Sequence, residues 1–177
     1  MSPDDVAADR SAAPDASGAW PAAPPVPVPD GWTAERDGGT LTLTSPDTCF
    51  WTFAAIPGGP EPSDAVDSAV AGLREEYDDF ETESLGTEPL FHGEAGLDAA
   101  FFCLDRTIAA RVRAFREAGV TYVLFYQGLD QEVEERRGML EGLSRRAISV
   151  ATGSTAGGGE PAPVAEAVPP SSPRLPR

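Results

Sequence analysis

The sequence predicts an α+β fold in which a mostly antiparallel sheet packs with two main helices, an α/β/α sandwich in the order β-β-β-α-β-β-β-β-α. Two observations favour this fold class. The segments Leu97–Asp105, Thr107–Arg116 and Val120–Gln127 show the apolar patterns of strands and are separated by short turns. The segment Asp130–Val150 then repeats its apolar residues at helical spacing.

Three strands are expected before the first helix. Trp32–Arg36 and Thr40–Thr44 would form a hairpin around an Asp-Gly-Gly turn. Phe50–Ile56 is apolar at both alternate and intervening positions, which is typical of a central strand covered on both faces. We therefore expect this third strand to be buried on both sides of the sheet.

The remaining elements follow from capping and charge. Ser63 would cap a first helix that extends to Tyr77. Glu81–Pro89 is charged and ends in proline, as edge strands often do. The helix Asp130–Val150 has acids in its first turns and arginines in its last, which matches its macrodipole at both ends.

The two ends of the chain differ in composition from the middle. Residues 1–29 are rich in Pro and Ala, and residues 151–177 in Gly, Pro and Ala, so neither can bury enough apolar surface to offset its ordering entropy. We predict that both are disordered and that residues 30–150 form one domain. The run Pro24-Pro25-Val26-Pro27 could dock on an aromatic groove, although it lacks a flanking basic residue and a spacer is the simpler interpretation.

The charge pattern excludes several classes of function. The formal net charge is −16 and the chain contains no lysine. A field this negative repels phosphate backbones, and without lysine neither a P-loop nor a Schiff base can form. The first residues lack a basic leader, and no apolar run approaches the ~20 residues of a spanning helix. We therefore expect a cytoplasmic protein that binds neither nucleic acid nor membrane.

Reactive side chains are few. His92 is the only histidine, and Cys49 and Cys103 lie in apolar strand contexts where a thiol keeps a normal or raised pKa. One histidine and two buried cysteines cannot complete a tetrahedral metal shell, and the acidic run Glu75–Glu83 lacks the glycine turn of a Ca²⁺ loop. We predict no catalytic centre, no metal and no cofactor. The alternative is a thiol-dependent enzyme that uses Cys103 or Cys49.

Two arginines in one strand are candidates for binding. Arg111 and Arg113 share a face, opposite Ile108, Ala110, Val112 and Ala114, and could grip a carboxylate or an acidic peptide. The alternative is cross-strand pairing with acids such as Asp98 or Glu117. Trp32 would add an exposed aromatic side chain to the same contact surface.

Residues 30–150 contain a Gly-Trp opening, a Ser-Pro-Asp turn, a Gly-x-x-Gly sequence before a long hairpin, and Tyr122 in the strand before the closing helix. In these features the sequence resembles the PsbP-like superfamily and its DcrB-like bacterial relatives. This resemblance implies an α/β/α sandwich that binds or assembles other proteins without catalysis. The Eag chaperones of type VI secretion, which shield apolar helices of secreted effectors, are the functional analogy within that group.

These observations together predict a non-enzymatic, cytoplasmic protein-binding module with an adaptor or chaperone-like role. A sheet of this kind could accept a strand at its edge or a helix on an uncovered face. The partner would be another protein, and a homodimer is a further option. A small-ligand-binding domain with a pocket between sheet and helix is the alternative function.

Overall fold

The computed structural model describes residues 23–77 and 79–153 as a seven-stranded antiparallel sheet with a helix on each face. The predicted α+β class and the order of nine elements are confirmed. The helices are α1 (Pro62–Glu76) and α2 (Asp130–Thr152). The strands are β1 (Thr33–Asp37), β2 (Thr40–Thr44), β3 (Phe50–Pro57), β4 (Glu81–Ser84), β5 (Ala95–Cys103), β6 (Arg106–Glu117) and β7 (Val120–Leu129).

The strands lie in the order β1-β2-β3-β7-β6-β5-β4. The connection through α1 carries the chain from β3 to the far edge at β4, and successive hairpins then bring it back to β7 beside β3. Both edge strands are short, charged and exposed along their whole length. Short charged edges of this kind discourage uncontrolled pairing with other chains.

Helix α2 covers β3, β7 and β6 on one face of the sheet. Trp51, Phe53 and Leu124 are buried beneath it. The Trp51 Nε1–H donates to the Ser144 hydroxyl over 3.0 Å, and that hydroxyl donates to the Leu140 carbonyl over 2.9 Å. This pair of hydrogen bonds satisfies the Trp51 indole N–H and the Ser144 hydroxyl, which are both buried where α2 packs on the sheet.

Helix α1 covers β5, β6 and β7 on the opposite face, where Val66 and Val70 pack near Val112. It does not reach β3, so the expectation that Phe50–Ile56 is buried on both faces is wrong. Trp51, Phe53 and Ala55 are buried under α2, whereas the alternate side chains of β3 are only half-buried.

The folded part begins before the predicted boundary at Asp30. Ala23, Pro24 and Val26 are buried, and Arg36 Nη1 donates to the Ala23 carbonyl over 2.9 Å. The segment from Ala23 therefore packs on the α2 side of the core instead of acting as a spacer. The predicted disorder of residues 1–22 and 154–177 falls outside the described residues.

Two element boundaries also differ from the sequence prediction. Helix α1 begins at Pro62 with Glu61 in the N-cap position, so Ser63 is not the cap. Proline suits the first helical position because its fixed φ is helical and its missing N–H would have no helical partner there. Strand β4 ends at Ser84, before the predicted Pro89. Neither α1 nor α2 combines the length and apolar character that a membrane crossing requires.

Candidate functional site

The two helices leave part of the sheet uncovered, and a cleft of about 380 Å³ lies in one such area. Helix α2 does not reach β5 and β4 on its own side. The floor of the cleft is formed by Ala100 and Ala109, which are register partners on β5 and β6. Because the small side chains of these alanines leave the space above the sheet empty, the cleft extends down to the sheet. We call it the acidic cleft.

The walls of the acidic cleft come from β4 and α2. Strand alternation places Glu81 and Glu83 on the cleft side of β4, since their register partners are Ala100 and Asp98. The opposite wall carries Asp130 and Arg137 from the first two turns of α2. Asp130 also offsets the partial positive charge at the amino end of the helix.

A line of polar side chains crosses the sheet at the inner end of the cleft. Arg111 donates from Nε and Nη2 to the Asp98 carboxylate over 2.5 and 2.8 Å, and from Nη1 to Glu141 over 2.5 Å. The Tyr126 hydroxyl donates to the same Glu141 carboxylate over 3.1 Å. The register of the sheet places Asp98, Arg111 and Tyr126 side by side on three adjacent strands. Glu83 continues this line on β4, next to Asp98.

Burial and pairing act in opposite directions on these groups. Burial lowers the pKa of Arg111, but the Asp98 and Glu141 carboxylates outweigh it and raise that pKa overall. Burial raises the pKa of the Tyr126 phenol, which the Arg111 charge only partly counteracts. Arg111 is therefore a fixed cation and Tyr126 a neutral donor at neutral pH.

A second buried arginine extends the network behind the cleft. Arg113 donates to Glu94, to the Thr87 hydroxyl over 2.5 Å, and to Glu141 over 3.3 Å. The Arg113 and Glu94 side chains are 1% and 2% exposed. Glu94 also accepts the backbone N–H groups of Leu90 and Phe91. This carboxylate therefore ties the loop before β5 to the middle of the sheet.

The predicted contact surface does not fit this geometry. Arg111 and Arg113 do share a face, as predicted, but they are 3% and 1% exposed. The predicted alternative, pairing of Arg111 with Asp98, is confirmed. Trp32 is half-buried against the core, with the Arg136 guanidinium 5.8 Å from its ring centroid. A direct role of these three residues in binding a partner stays a prediction.

The cleft has an excess of negative charge that the fold itself does not neutralise. Glu81, Glu83, Asp98 and Asp130 line it together with two arginines, and the Arg111 charge is already bound by Asp98 and Glu141. Glu83 lies directly opposite Asp98, and like charges in such pairs are unfavourable. Within the described part of the chain, neither Glu81 nor Glu83 forms a side-chain hydrogen bond or ion pair.

Exposed apolar residues lie at the β5–β6 turn, beyond the floor of the cleft. Phe102 is 57% exposed and, two positions after Ala100, lies on the same face of β5. Leu104 is 92% exposed, and both it and Asp105 have positive φ, of 51° and 60°. A leucine with positive φ is strained, because its Cβ crowds the backbone. We call Phe102 and Leu104 the apolar tip.

The candidate thiols and histidine are dispersed. Cys49 is fully buried, and burial raises its pKa to about 11 despite the nearby charge of Arg136. A thiol with this pKa is almost entirely protonated at neutral pH and is a poor nucleophile. Cys103 is half-buried at the end of β5, and His92 is exposed in a loop. Residues 23–77 and 79–153 contain no group of side chains suited to hold a metal ion.

The acidic cleft was not predicted from the sequence. Its acids come from β4, β5 and α2, which are distant in sequence, and only the tertiary arrangement brings them together. The paired alanines Ala100 and Ala109 were the available signal, because small residues at the middle of two adjacent strands leave space above the sheet.

No known protein family matches the chain, and no curated protein matches it. Among solved structures, it is similar to the protein PA94 from Pseudomonas aeruginosa, with 12% identity and a TM-score of 0.44 over 67% of this chain and 85% of that one. It is also similar to the Ran-binding protein Mog1p from Saccharomyces cerevisiae, with 13% identity and a TM-score of 0.41 over 68% and 80% of the two chains.

A third similar structure is LpqN, involved in cell envelope biogenesis of Mycobacterium tuberculosis, with 18% identity and a TM-score of 0.38 over 73% of this chain and 79% of that one. Likenesses at these identities and TM-scores carry no functional inference for this chain. The resemblance to PsbP-like and DcrB-like proteins stays a prediction.

Proposed function

We propose that this domain is a protein-binding or adaptor module that takes a cationic polypeptide segment in the acidic cleft. The observation that carries the proposal is the uncovered part of the sheet between β4 and α2, where Glu81 and Glu83 stand unpaired around an open floor. An arginine or lysine side chain placed there would neutralise Glu83 and relieve its repulsion with Asp98.

The charge of the whole chain supports a cationic partner. A formal net charge of −16 attracts positive segments over several ångströms and increases their association rate at low salt. The same charge disfavours acidic peptides, which Arg111 could otherwise have bound. Since Arg111 is already bound by two carboxylates, it does not offer a free cation to a ligand.

The apolar tip supports a polypeptide rather than a lone cation. Exposed aromatic and aliphatic side chains beside a charged groove are typical of protein contact surfaces, in which apolar contacts supplement charge pairing. Phe102 and Leu104 are two of the three large apolar side chains that are exposed among the described residues. A cationic segment that also carries an apolar residue could use both features.

The other uncovered part of the sheet is less suited to binding. It lies on the α1 side of β2 and β3, where the rings of Phe50 and Phe125 pack 5.5 Å apart and the Thr42 and Thr52 hydroxyls are 3.4 Å apart. These side chains contact one another and carry no net charge. We therefore expect the partner to bind on the α2 side of the sheet.

A small cationic ligand is the second candidate, because the cleft lies between sheet and helix and its volume of about 380 Å³ is within the ordinary range of ligand pockets. Stabilisation against heat by arginine amide or spermidine, without binding of a longer peptide, would favour this candidate. The predicted cytoplasmic location agrees with either function and stays a prediction.

The proposal is tested by a titration with a fluorescent peptide of alternating Arg and Leu, followed by anisotropy. The substitutions Glu81→Gln and Glu83→Gln together should weaken binding about fivefold or more, since two charge contacts are lost from an otherwise unchanged surface. The matched control is Glu35→Gln with Asp37→Asn on β1, which removes two exposed acids from the opposite edge. Equal weakening by both pairs, or no binding at low salt, would refute the cleft as the site.

A further inference from the structure

The side of α2 that is turned away from the sheet is exposed and carries charges in a regular order. Leu140, Ser144 and Ala147 are buried on the sheet side of the helix. Six exposed residues lie within about a third of the helix circumference on the opposite side. In chain order they are two acids, two glycines and two arginines: Glu134, Glu135, Gly138, Gly142, Arg145 and Arg146. We call them the outer face of α2.

The charges of the outer face are self-complementary. Glu135 precedes Leu140 by five positions and Arg145 follows it by five, while Glu134 and Arg146 are each six positions away. At 1.5 Å per residue, both pairs lie ~8 Å along the helix from Leu140. Two antiparallel copies of α2, related by a two-fold axis level with Leu140, therefore place the acids of each copy opposite the arginines of the other.

The two arginines have no partner within the described residues of their own molecule. Neither Arg145 nor Arg146 forms a side-chain hydrogen bond or ion pair there. Glu135 accepts from the neutral Gln131 amide over 3.0 Å. Glu134 pairs with Arg137 one turn further along the helix, and exposed pairs of this kind contribute little. Both arginines are therefore available to a second molecule.

We propose that two copies of this chain form a symmetric dimer through the outer face of α2, with the two helices antiparallel. The order acid, glycine, arginine specifies a second copy, because each copy then supplies the charges that the other lacks. A parallel arrangement would place like charges beside each other and is unfavourable. This inference does not rest on the proposed function.

The middle of the outer face allows the two helices to approach closely. Gly138 and Gly142 lie in the interior of α2, where glycine is less favourable than alanine. A Cβ at either position would meet no atom within 4 Å, so the fold does not require glycine there. In the antiparallel pair Gly138 of one copy faces Gly142 of the other, and the helix axes can approach to ~8 Å. The charges on either side then come within contact distance.

An apolar groove along one flank of the outer face adds to the contact. Its volume is about 310 Å³, and it lies between the segment before β1 and α2, with Pro27, Pro29 and Met139 in its lining. Val28, between the two prolines, is 46% exposed. The two-fold axis brings this flank of both copies to the same side of the helix pair. Apolar contacts there would supplement the charge pairs.

The acidic cleft lies on the other flank of α2. Arg137 lines the cleft and Met139 lines the groove, and two positions along a helix correspond to a rotation of about 200°. The dimer therefore leaves both clefts open. The net charge of −16 opposes association, but at physiological salt the repulsion between charges more than about 8 Å apart is largely screened.

The experiment measures the mass of the full chain by sedimentation equilibrium from micromolar to millimolar concentration at physiological salt, without any peptide. Arg145→Glu with Arg146→Glu makes the whole outer face acidic, and Glu134→Arg with Glu135→Arg makes it basic. Each pair should weaken dimerisation about tenfold or more, because like charges then meet at every contact. An equimolar mixture of the two variants should form a mixed dimer as tight as the original, which also shows that both variants are folded.

The matched control is Arg74→Glu with Arg106→Glu, two exposed arginines on α1 and β6, which changes the net charge as much as the acidic variant does. It should leave dimerisation close to that of the unchanged chain. Gly142→Leu should raise the unfolding temperature of the monomer and weaken the dimer, since a side chain is tolerated in one copy but separates two.

Three results would overturn this dimer. One is a monomer at every concentration, and another is equal weakening by the control and by the α2 variants. The third is failure of the acidic and basic variants to associate with each other, which would place any self-association elsewhere. None of these measurements involves the acidic cleft, so the peptide titration tests the proposed function separately.

Discussion

The face of the sheet under α2 is built in two different ways. Across β2 and β3 it is apolar, and Leu43 and Trp51 are fully buried register partners. Across β6 and β5 the same line continues as the ion pair of Arg111 with Asp98. This face of the sheet therefore changes from an apolar core to a buried salt-bridge network within a few strands.

The apolar half and the ionic half stabilise the fold in different ways. Burial of Leu43 and Trp51 stabilises the fold whatever their exact neighbours, because the gain depends mainly on apolar area removed from water. Each charge in the ionic half depends on its partners, since a buried ion that loses its partner is left uncompensated and destabilises the fold by about 3–5 kcal/mol. The apolar half is complete in itself, whereas the ionic half ends at the open sheet edge with unpaired carboxylates at Glu81 and Glu83.

The largest expected loss of stability follows from a substitution in the ionic half. Arg113→Met should lower the free energy of unfolding by about 3–5 kcal/mol, because it leaves the Glu94 carboxylate buried without its cation. Urea unfolding of this variant and of Leu43→Ala, expected to cost about 2–5 kcal/mol, allows the two halves to be compared.

Stability lost in the ionic half should be recovered by a second substitution that removes the stranded charge. Adding Glu94→Gln to Arg113→Met removes the stranded charge and keeps an acceptor oxygen for the Leu90 and Phe91 N–H groups. At least half of the lost stability should return. If the double variant is less stable than Arg113→Met alone, the ionic half behaves as ordinary packing and the comparison is wrong.

Tyr126→Phe should cost about 1–3 kcal/mol, because its hydroxyl donates to the charged Glu141. Since the pKa of Tyr126 is raised in the folded state, its contribution is present below the ordinary pKa near 10 and is lost as pH rises through the raised value. The variant should therefore lose less stability than the unchanged protein above pH 10. Parallel loss in both proteins would contradict this role.

A smaller change should stabilise the fold and weaken binding. Leu104→Asn relieves a strained positive φ and should add up to about 1 kcal/mol in thermal unfolding, while it removes half of the apolar tip. The control is Ala118→Asn in the β6–β7 turn, which also has positive φ and precedes Gly119. The control should stabilise without affecting peptide binding; a similar loss of binding in both variants would remove the apolar tip from the site.

The smallest expected effect is the rate at which the Cys49 thiol reacts in the folded protein, which should be close to zero. In a Cys103→Ser background, Cys49 should react with a thiol reagent at pH 7 only as fast as the protein unfolds, because burial raises its pKa to about 11. Adding denaturant should accelerate the reaction. Rapid labelling of the folded protein would instead support the thiol-enzyme alternative.

Local patterns predicted most of this structure. Alternation along β6 placed Arg111 and Arg113 on one face, and the short hairpin to β5 made Asp98 a predictable partner of Arg111. Glu141 could not be predicted, because it comes from a helix whose position depends on the packing of the whole sheet. The extra burial expected for β3 failed for the same reason, since it depended on how far α1 extends.

Binding in the acidic cleft is tested most directly by amide hydrogen exchange of the full chain with and without the Arg-Leu peptide, which maps where the peptide contacts the protein. If the peptide lies in the acidic cleft, exchange should slow in β4, in Ala99–Cys103 of β5 and in the first turns of α2, and should stay unchanged in β1 and β2. Protection confined to β1–β3, or no protection at a peptide concentration that saturates the anisotropy signal, would contradict it.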